Sequence, residues 1–129
     1  MKMLIRLLSF GTLFAGLCFT SLSATTYTLS GSNQSNTGQS WSVSIPAKAS
    51  AVGSITLEAS APNYCWGMIY IKPKYKDNSV FSLFAEGMGT ARNWGGASNI
   101  PAGQYNLTHH CMSISSYFQY YNLSTTISW

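Results

Sequence analysis

The sequence predicts an all-β protein: a single antiparallel β-sandwich of about seven to eight strands, held by one disulfide and preceded by a cleaved signal peptide. Three observations carry this reading. Apolar and polar residues alternate with period two along most of the chain, no stretch beyond residue 24 keeps a helical period for three turns, and turn residues separate the alternating runs.

The first residues follow a different logic. Lys2 and Arg6 precede an apolar stretch from Leu7 to Phe19, and Thr20-Ser21-Leu22-Ser23-Ala24 supplies small residues for cleavage. That is the order of a secretory signal peptide, with cleavage expected after Ala24 or Ser23. The apolar part is short for a bilayer span, which takes roughly 20 apolar residues. Ala15-Gly16-Leu17-Cys18 resembles a lipoprotein processing site, but Leu17 stands where that site wants a small residue, so lipidation of Cys18 is disfavoured. The expected division is therefore 1–24 as signal and 25–129 as one domain, secreted or periplasmic in a bacterium. About 105 residues suit a single domain that buries roughly two thirds of its unfolded surface.

Cleavage would discard Cys18 and leave Cys65 and Cys111. An even count in an exported chain reads as a disulfide, and closing a loop of that length is worth on the order of 3–4 kcal/mol. Cleavage also removes two of seven basic residues, leaving five against three acidic ones. So mild an excess does not make the broad basic face of a nucleic-acid binder. Ser, Thr, Asn, Gly and Tyr dominate instead, with enough aromatic and β-branched residues to exclude disorder.

Along the domain, Tyr27 and Leu29 alternate with hydroxyl residues, and Gly31 to Gly38 reads as a polar loop. Trp41, Val43 and Ile45 alternate with serines up to Pro46, and Ile55, Leu57 and Ala59 alternate with Ser54, Thr56 and Glu58. After a turn at Ala61-Pro62-Asn63, the strand from Tyr64 to Ile71 is apolar on both faces. Cys65, Ile69 and Ile71 share one side, while Tyr64, Trp66, Met68 and Tyr70 share the other. A turn at Lys76-Asp77-Asn78 leads to Val80–Glu86, with Phe81, Leu83 and Ala85 inward. Gly87 to Gly103 lacks periodicity and reads as a long, Gly-rich loop. Tyr105, Leu107, His109 and Cys111 then face one way and Asn106, Thr108, His110 and Met112 the other, before a last alternating run from Tyr121 to Trp129. With Cys65 and Cys111 both among inward residues, the expected bridge joins the two sheets.

Catalytic patterns are thin. Glu58, Asp77 and Glu86 are the only carboxylate side chains available for glycoside hydrolysis, and Asp77 lies in a turn while Glu58 sits on a threonine-lined face. His109 and His110 point to opposite faces of one strand and do not chelate a common metal. No Gly-x-Ser-x-Gly elbow gives a serine focus, so a hydrolase is the disfavoured alternative, and neither metal nor cofactor is expected. The sharper feature is the outer side of the Tyr64–Lys76 strand. If it stays extended through Pro73, the aromatic row continues into Lys72, Lys74 and Lys76, and the Gly-rich segment adds Arg92 and Trp94. Aromatic rings stack on sugars or sit in lipid headgroups, while cations attract anionic groups. The competing reading makes Trp66, Met68 and Tyr70 core under a loop and the lysines protection of an exposed edge.

The closing segments Ile100-Pro101-Ala102-Gly103-Gln104-Tyr105 and Leu123-Ser124-Thr125-Thr126-Ile127-Ser128-Trp129 resemble the final strands of pre-peptidase C-terminal domains, the β-sandwich accessory modules of secreted bacterial proteases. The resemblance implies a sandwich and an accessory role. Where that family has an acidic residue before a Leu-Tyr pair, this chain has Gly67-Met68-Ile69-Tyr70, so no calcium site is implied.

The expected function is non-catalytic adhesion or carbohydrate binding, with Trp66, Tyr70 and Trp94 stacking and Arg92, Lys72 and Lys74 as polar anchors. The partner is a glycan or other cell-surface component, anionic if the lysines engage it. The alternatives are a membrane-active small toxin or pore-former, with the same groups at a lipid surface, and a structural or inhibitory protein-interaction module.

Overall fold

The computed structural model describes residues 22–129. The expected signal peptide, with Cys18, lies outside the described residues except for its last three. Eight strands follow: β1 (Ala24–Gly31), β2 (Asn36–Ile45), β3 (Ala49–Ala59), β4 (Tyr64–Pro73), β5 (Phe81–Met88), β6 (Thr90–Ile100), β7 (Gly103–Ser113) and β8 (Phe118–Ser128). They form two four-stranded sheets of order β1-β8-β3-β6 and β2-β7-β4-β5, with every pairing antiparallel. All connections cross between the sheets except the β4–β5 hairpin. This strand order is that of a jelly roll, two interlocked Greek keys.

The core lies between the sheets and follows from the alternation. Ile55 and Leu57 of β3, Leu123 and Ile127 of β8, Ile69 and Ile71 of β4 and Leu107 of β7 are buried, as is Phe118. Each such side chain contributes roughly 1.5–3 kcal/mol when fully buried. Small residues set the sheet separation where bulky ones face them: a Cβ on Gly67 would come within 3.1 Å of Leu57. At the β5–β6 turn a Cβ on Gly87 would collide with the Thr90 carbonyl oxygen, and Gly89 takes a φ of +80°, so this tight sheet crossing depends on glycine.

The structure corrects four sequence expectations. First, Cys65 and Cys111 are both buried but remain free thiols. They belong to neighbouring strands of one sheet rather than to opposite sheets. Cys65 lies opposite Ser113 and Cys111 opposite Gly67, so a two-residue offset separates them diagonally. Diagonal neighbours lie about 7–8 Å apart, beyond the reach of an unstrained disulfide. Burial raises both thiol pKa values, that of Cys111 to about 12.

Second, the Gly-rich stretch is strand β6 rather than a loop. Its inward positions carry Ala91, Asn93, Gly95 and Ala97, small or polar residues that blunt the alternation. The space is filled from the other sheet, where Leu83 would meet a Cβ on Gly95 at 3.3 Å. Third, the polar loop after β1 is shorter than expected, because β2 begins at Asn36. Fourth, β4 ends at Pro73, and a turn at Lys74-Tyr75 follows. The Lys74 N–H donates to the Gln104 carbonyl at 2.9 Å and the Lys76 N–H to that of Pro73 at 3.3 Å, so Lys74 and Lys76 leave the face that Lys72 still shares.

His109 is fully buried and joins the sheets, its Nε2 lying 2.8 Å from Thr125 Oγ1 of β8 and its ring edge-on to Trp41 at 4.9 Å. Neither neighbour carries charge, and burial lowers its pKa from 6.5 to about 4. The folded state therefore resists a proton that the unfolded chain accepts, so stability is full above pH 6.5 and is lost as pH falls toward 4. The loss from this group is roughly 3 kcal/mol. Urea melts at pH 7 and pH 4.5 are expected to show that slope in the wild type and a flatter one in His109→Gln; equal slopes would refute the assignment. For the thiols, unreduced protein is expected to label at both Cys65 and Cys111 only after unfolding. A product blocked at both cysteines would restore the bridge.

Candidate functional site

Alternation within a fixed register decides which side chains reach the surface. In β4, Cys65, Gly67, Ile69 and Ile71 are buried, while Tyr64, Trp66, Met68, Tyr70 and Lys72 are half-buried on the outer face of the β2-β7-β4-β5 sheet. The aromatic row is thus an outer surface and not core. Trp66 and Tyr70, four residues apart on one face, are separated by about 13 Å along the strand at roughly 3.3 Å per residue.

Neighbouring strands build around this row. Phe84 of β5 lies opposite Met68, stacks with Trp66 at 6.3 Å between ring centroids, and keeps 46% of its surface exposed. His110 of β7 meets Trp66 edge-on at 5.0 Å and is itself held by Asn36, whose Oδ1 lies 2.7 Å from His110 Nε2. The Tyr64 hydroxyl donates to Glu86 at 2.7 Å, and this bond holds the phenol pKa above its ordinary value. Trp66 is therefore wedged between rings, whereas Tyr70 and Phe84 border open space.

That space is a shallow groove of about 530 Å³, with Met68, Tyr70, Phe84, Lys72, Asp77, Ser79 and Ser82 among its lining residues. Two aromatic surfaces here meet a cation, a carboxylate and two hydroxyls. Groove and row together unite Trp66, Tyr70 and Lys72 of the expected site. Phe84, Ser79 and Ser82 were not expected there, and Asp77 had read as a solvated turn. Phe84 was visible in principle: with Phe81, Leu83 and Ala85 inward, period two sends Phe84 outward, where a bare aromatic is informative.

The other expected residues lie elsewhere. Arg92 and Trp94 project from β6, on the outer face of the opposite sheet, beside Thr56 and Ser54 of β3. Trp94 is 71% exposed and borders a second groove of about 410 Å³. Its backbone is pinned by Asn93, whose Oδ1 accepts from the Trp94 N–H at 2.9 Å and whose Nδ2 donates to the Phe84 carbonyl at 2.8 Å. Arg92 is engaged with Glu58 at 3.2 Å. The rest of this face is hydroxyl-rich, with Thr26 and Thr126 bonded across β1 and β8 at 2.8 Å. Lys74 sits in the β4–β5 turn, away from both grooves' aromatic rings. Among the described residues no group of three or more His, Cys, Asp or Glu converges as a metal site, and no helix is long and apolar enough to cross a membrane.

No protein-family model and no curated protein matches the chain. Among solved structures, it is similar to the infectious bursal disease virus VP2 subviral particle, with 12% identity and a TM-score of 0.44, covering 84% of this chain and 32% of that one. A desmodium yellow mottle tymovirus structure gives 8% identity and a TM-score of 0.37, covering 93% and 94%. The chain spans about a third of the VP2 chain it matches. The strand order itself makes the chain a jelly roll.

The two faces differ in a way fluorescence can read. Acrylamide is expected to quench Trp94 most strongly of the tryptophans, and Trp94→Phe to remove the most quenchable, red-shifted emission. Unchanged quenching in that variant would place Trp94 wrongly.

Proposed function

We propose that the protein is an exported, non-catalytic module that binds a carbohydrate of a cell surface through the groove between Tyr70 and Phe84. The observation that carries this reading is the pairing of those two partly exposed rings with Lys72, Asp77, Ser79 and Ser82 around one open concavity. Sugars present apolar C–H faces for the rings and hydroxyls for the polar groups, and a small number of placed polar groups in a largely apolar cleft is the usual make-up of a ligand site. The groove on the opposite sheet is the weaker candidate, because Trp94 stands alone there and Arg92 is already committed to Glu58.

A non-catalytic role is supported by where the acid and base groups are spent. Glu58 pairs with Arg92, Glu86 accepts from Tyr64, His110 bonds Asn36, and His109 is sealed in the core. Asp77 alone remains at the groove, without a second carboxylate or histidine beside it for acid–base work.

A glycan array and pull-downs on insoluble cell-wall polysaccharides test the reading. Binding is expected, with Tyr70→Ala and Phe84→Ala each weakening it about tenfold, the loss of one stacking contact of roughly 1–1.5 kcal/mol. Trp94→Ala is expected to leave it unchanged. Absence of binding to any glycan would overturn the function. Loss in Trp94→Ala with Tyr70→Ala intact would overturn the site.

A further inference from the structure

The jelly-roll connections fall at two ends of the sandwich. Residues 32–35, 60–63, Gly89 and 114–117 form one end, tied together by backbone bonds such as Gly89 N–H to Asn63 O and Phe118 N–H to Gln34 O. The β2–β3, β4–β5 and β6–β7 connections form the other. Four of the five cationic side chains of the described residues gather there: Lys48 in the β2–β3 loop, Lys72 at the end of β4, and Lys74 and Lys76 in the turn that follows. Asp77 is the only acidic side chain at that end. The fifth cation, Arg92, is neutralised by Glu58.

Tyr75 stands between Lys74 and Lys76 at the tip of this turn and is 87% exposed, more than any other large apolar side chain described. The turn is fixed by two backbone bonds, from the Lys74 N–H to the Gln104 carbonyl and from the Lys76 N–H to that of Pro73. A groove of about 520 Å³ adjoins it, with Tyr75, Lys74, Lys76 and Asp77 among its lining residues. A protruding tyrosine flanked by lysines matches the interfacial layer of a bilayer, where the ring sits among headgroups and the ammonium groups meet lipid phosphate. A sugar polymer would instead want rings bordering a groove, as Tyr70 and Phe84 do.

We propose that this end of the sandwich docks peripherally on an anionic lipid surface, with Tyr75 entering the headgroup layer and Lys48, Lys72, Lys74 and Lys76 facing lipid phosphate. Each lysine near such a surface raises the partition coefficient roughly fivefold, and the attraction is screened by salt. Tyr75, Lys74 and Lys76 lie outside the lining of the glycan groove, whereas Lys72 and Asp77 border it as well.

Flotation with vesicles tests it, using protein purified from cells expressing the full chain. Binding is expected to phosphatidylcholine–phosphatidylglycerol vesicles, to fall as salt rises, and to be absent with phosphatidylcholine alone. The double variant Lys74→Glu/Lys76→Glu is expected to lose at least about 25-fold, and Tyr75→Ala to weaken binding several-fold while keeping the salt dependence. All three changes are in an exposed turn, and an unchanged melting temperature would show the fold intact. Equal binding to neutral vesicles, wild-type binding by the charge-reversal variant, or binding to heparin without binding to anionic vesicles would each overturn the proposal. Loss of glycan binding in Tyr70→Ala with vesicle binding retained would separate the two surfaces.

Discussion

The register of β4 is the constraint on which the surface of this protein depends. Gly67 lies opposite Ala85 on one side and Cys111 on the other, and a Cβ there would press on Leu57 at 3.1 Å and Ile55 at 3.2 Å, so the facing sheet would have to give way to any larger residue. With Cys65, Gly67, Ile69 and Ile71 locked into the core, period two leaves Tyr64, Trp66, Met68, Tyr70 and Lys72 no choice of side. A one-residue slip would bury a lysine and expose two isoleucines, so core packing itself holds the outer aromatic row in place. The row then recruits Phe84 and His110 from the flanking strands, and the groove is what remains between rings that do not close on each other.

The same register explains the polar interior. His109 is inward because His110 is outward, and β8 presents Thr125 to receive its Nε2. The hydrogen bond satisfies one ring nitrogen at a site where charge is excluded, so the inter-sheet contact is sound at neutral pH and weakens in acid. The two sheets therefore carry different surfaces over a shared core. One carries the aromatic row and its groove; the other is hydroxyl-rich, with Val52, Trp94 and Tyr120 exposed among the hydroxyls and Arg92 paired to Glu58. A molecule docked by its lysine-bearing end would hold both faces to the side, open to polymers lying along the surface.

Much of this was legible in the sequence because alternation reports sidedness. The all-β architecture, the two-faced β4 and the opposed His109 and His110 follow from it directly. What alternation does not report is which strands are neighbours and at what offset. Cys65 and Cys111 both point inward, as expected, yet a two-residue offset within one sheet keeps them apart. The strand β6 was hidden because its inward positions are small where Leu83 fills the gap from the other sheet, a fact about a partner 12 residues away and not about β6. Lys74 left the expected ladder because its N–H bonds Gln104, a contact made only once β7 is in place. Site residues were legible where they share a strand with the aromatic row, and Phe84 follows from the alternation of β5; Ser79 and Ser82, from the β4–β5 connection and the start of β5, join the groove only through the hairpin.

The outer face of β4 and β5 is proposed to hold a cell-surface glycan. The most direct measurement is a two-dimensional NMR titration of isotopically labelled protein with soluble cell-wall glycan fragments, which reads both faces at once. Shifts are expected at Lys72, Ser79, Ser82 and Phe84 and at the Trp66 indole, with β3 and β6 silent. Shifts centred on Ser54, Thr56 and the Trp94 indole, with the β4–β5 groove silent, would contradict it.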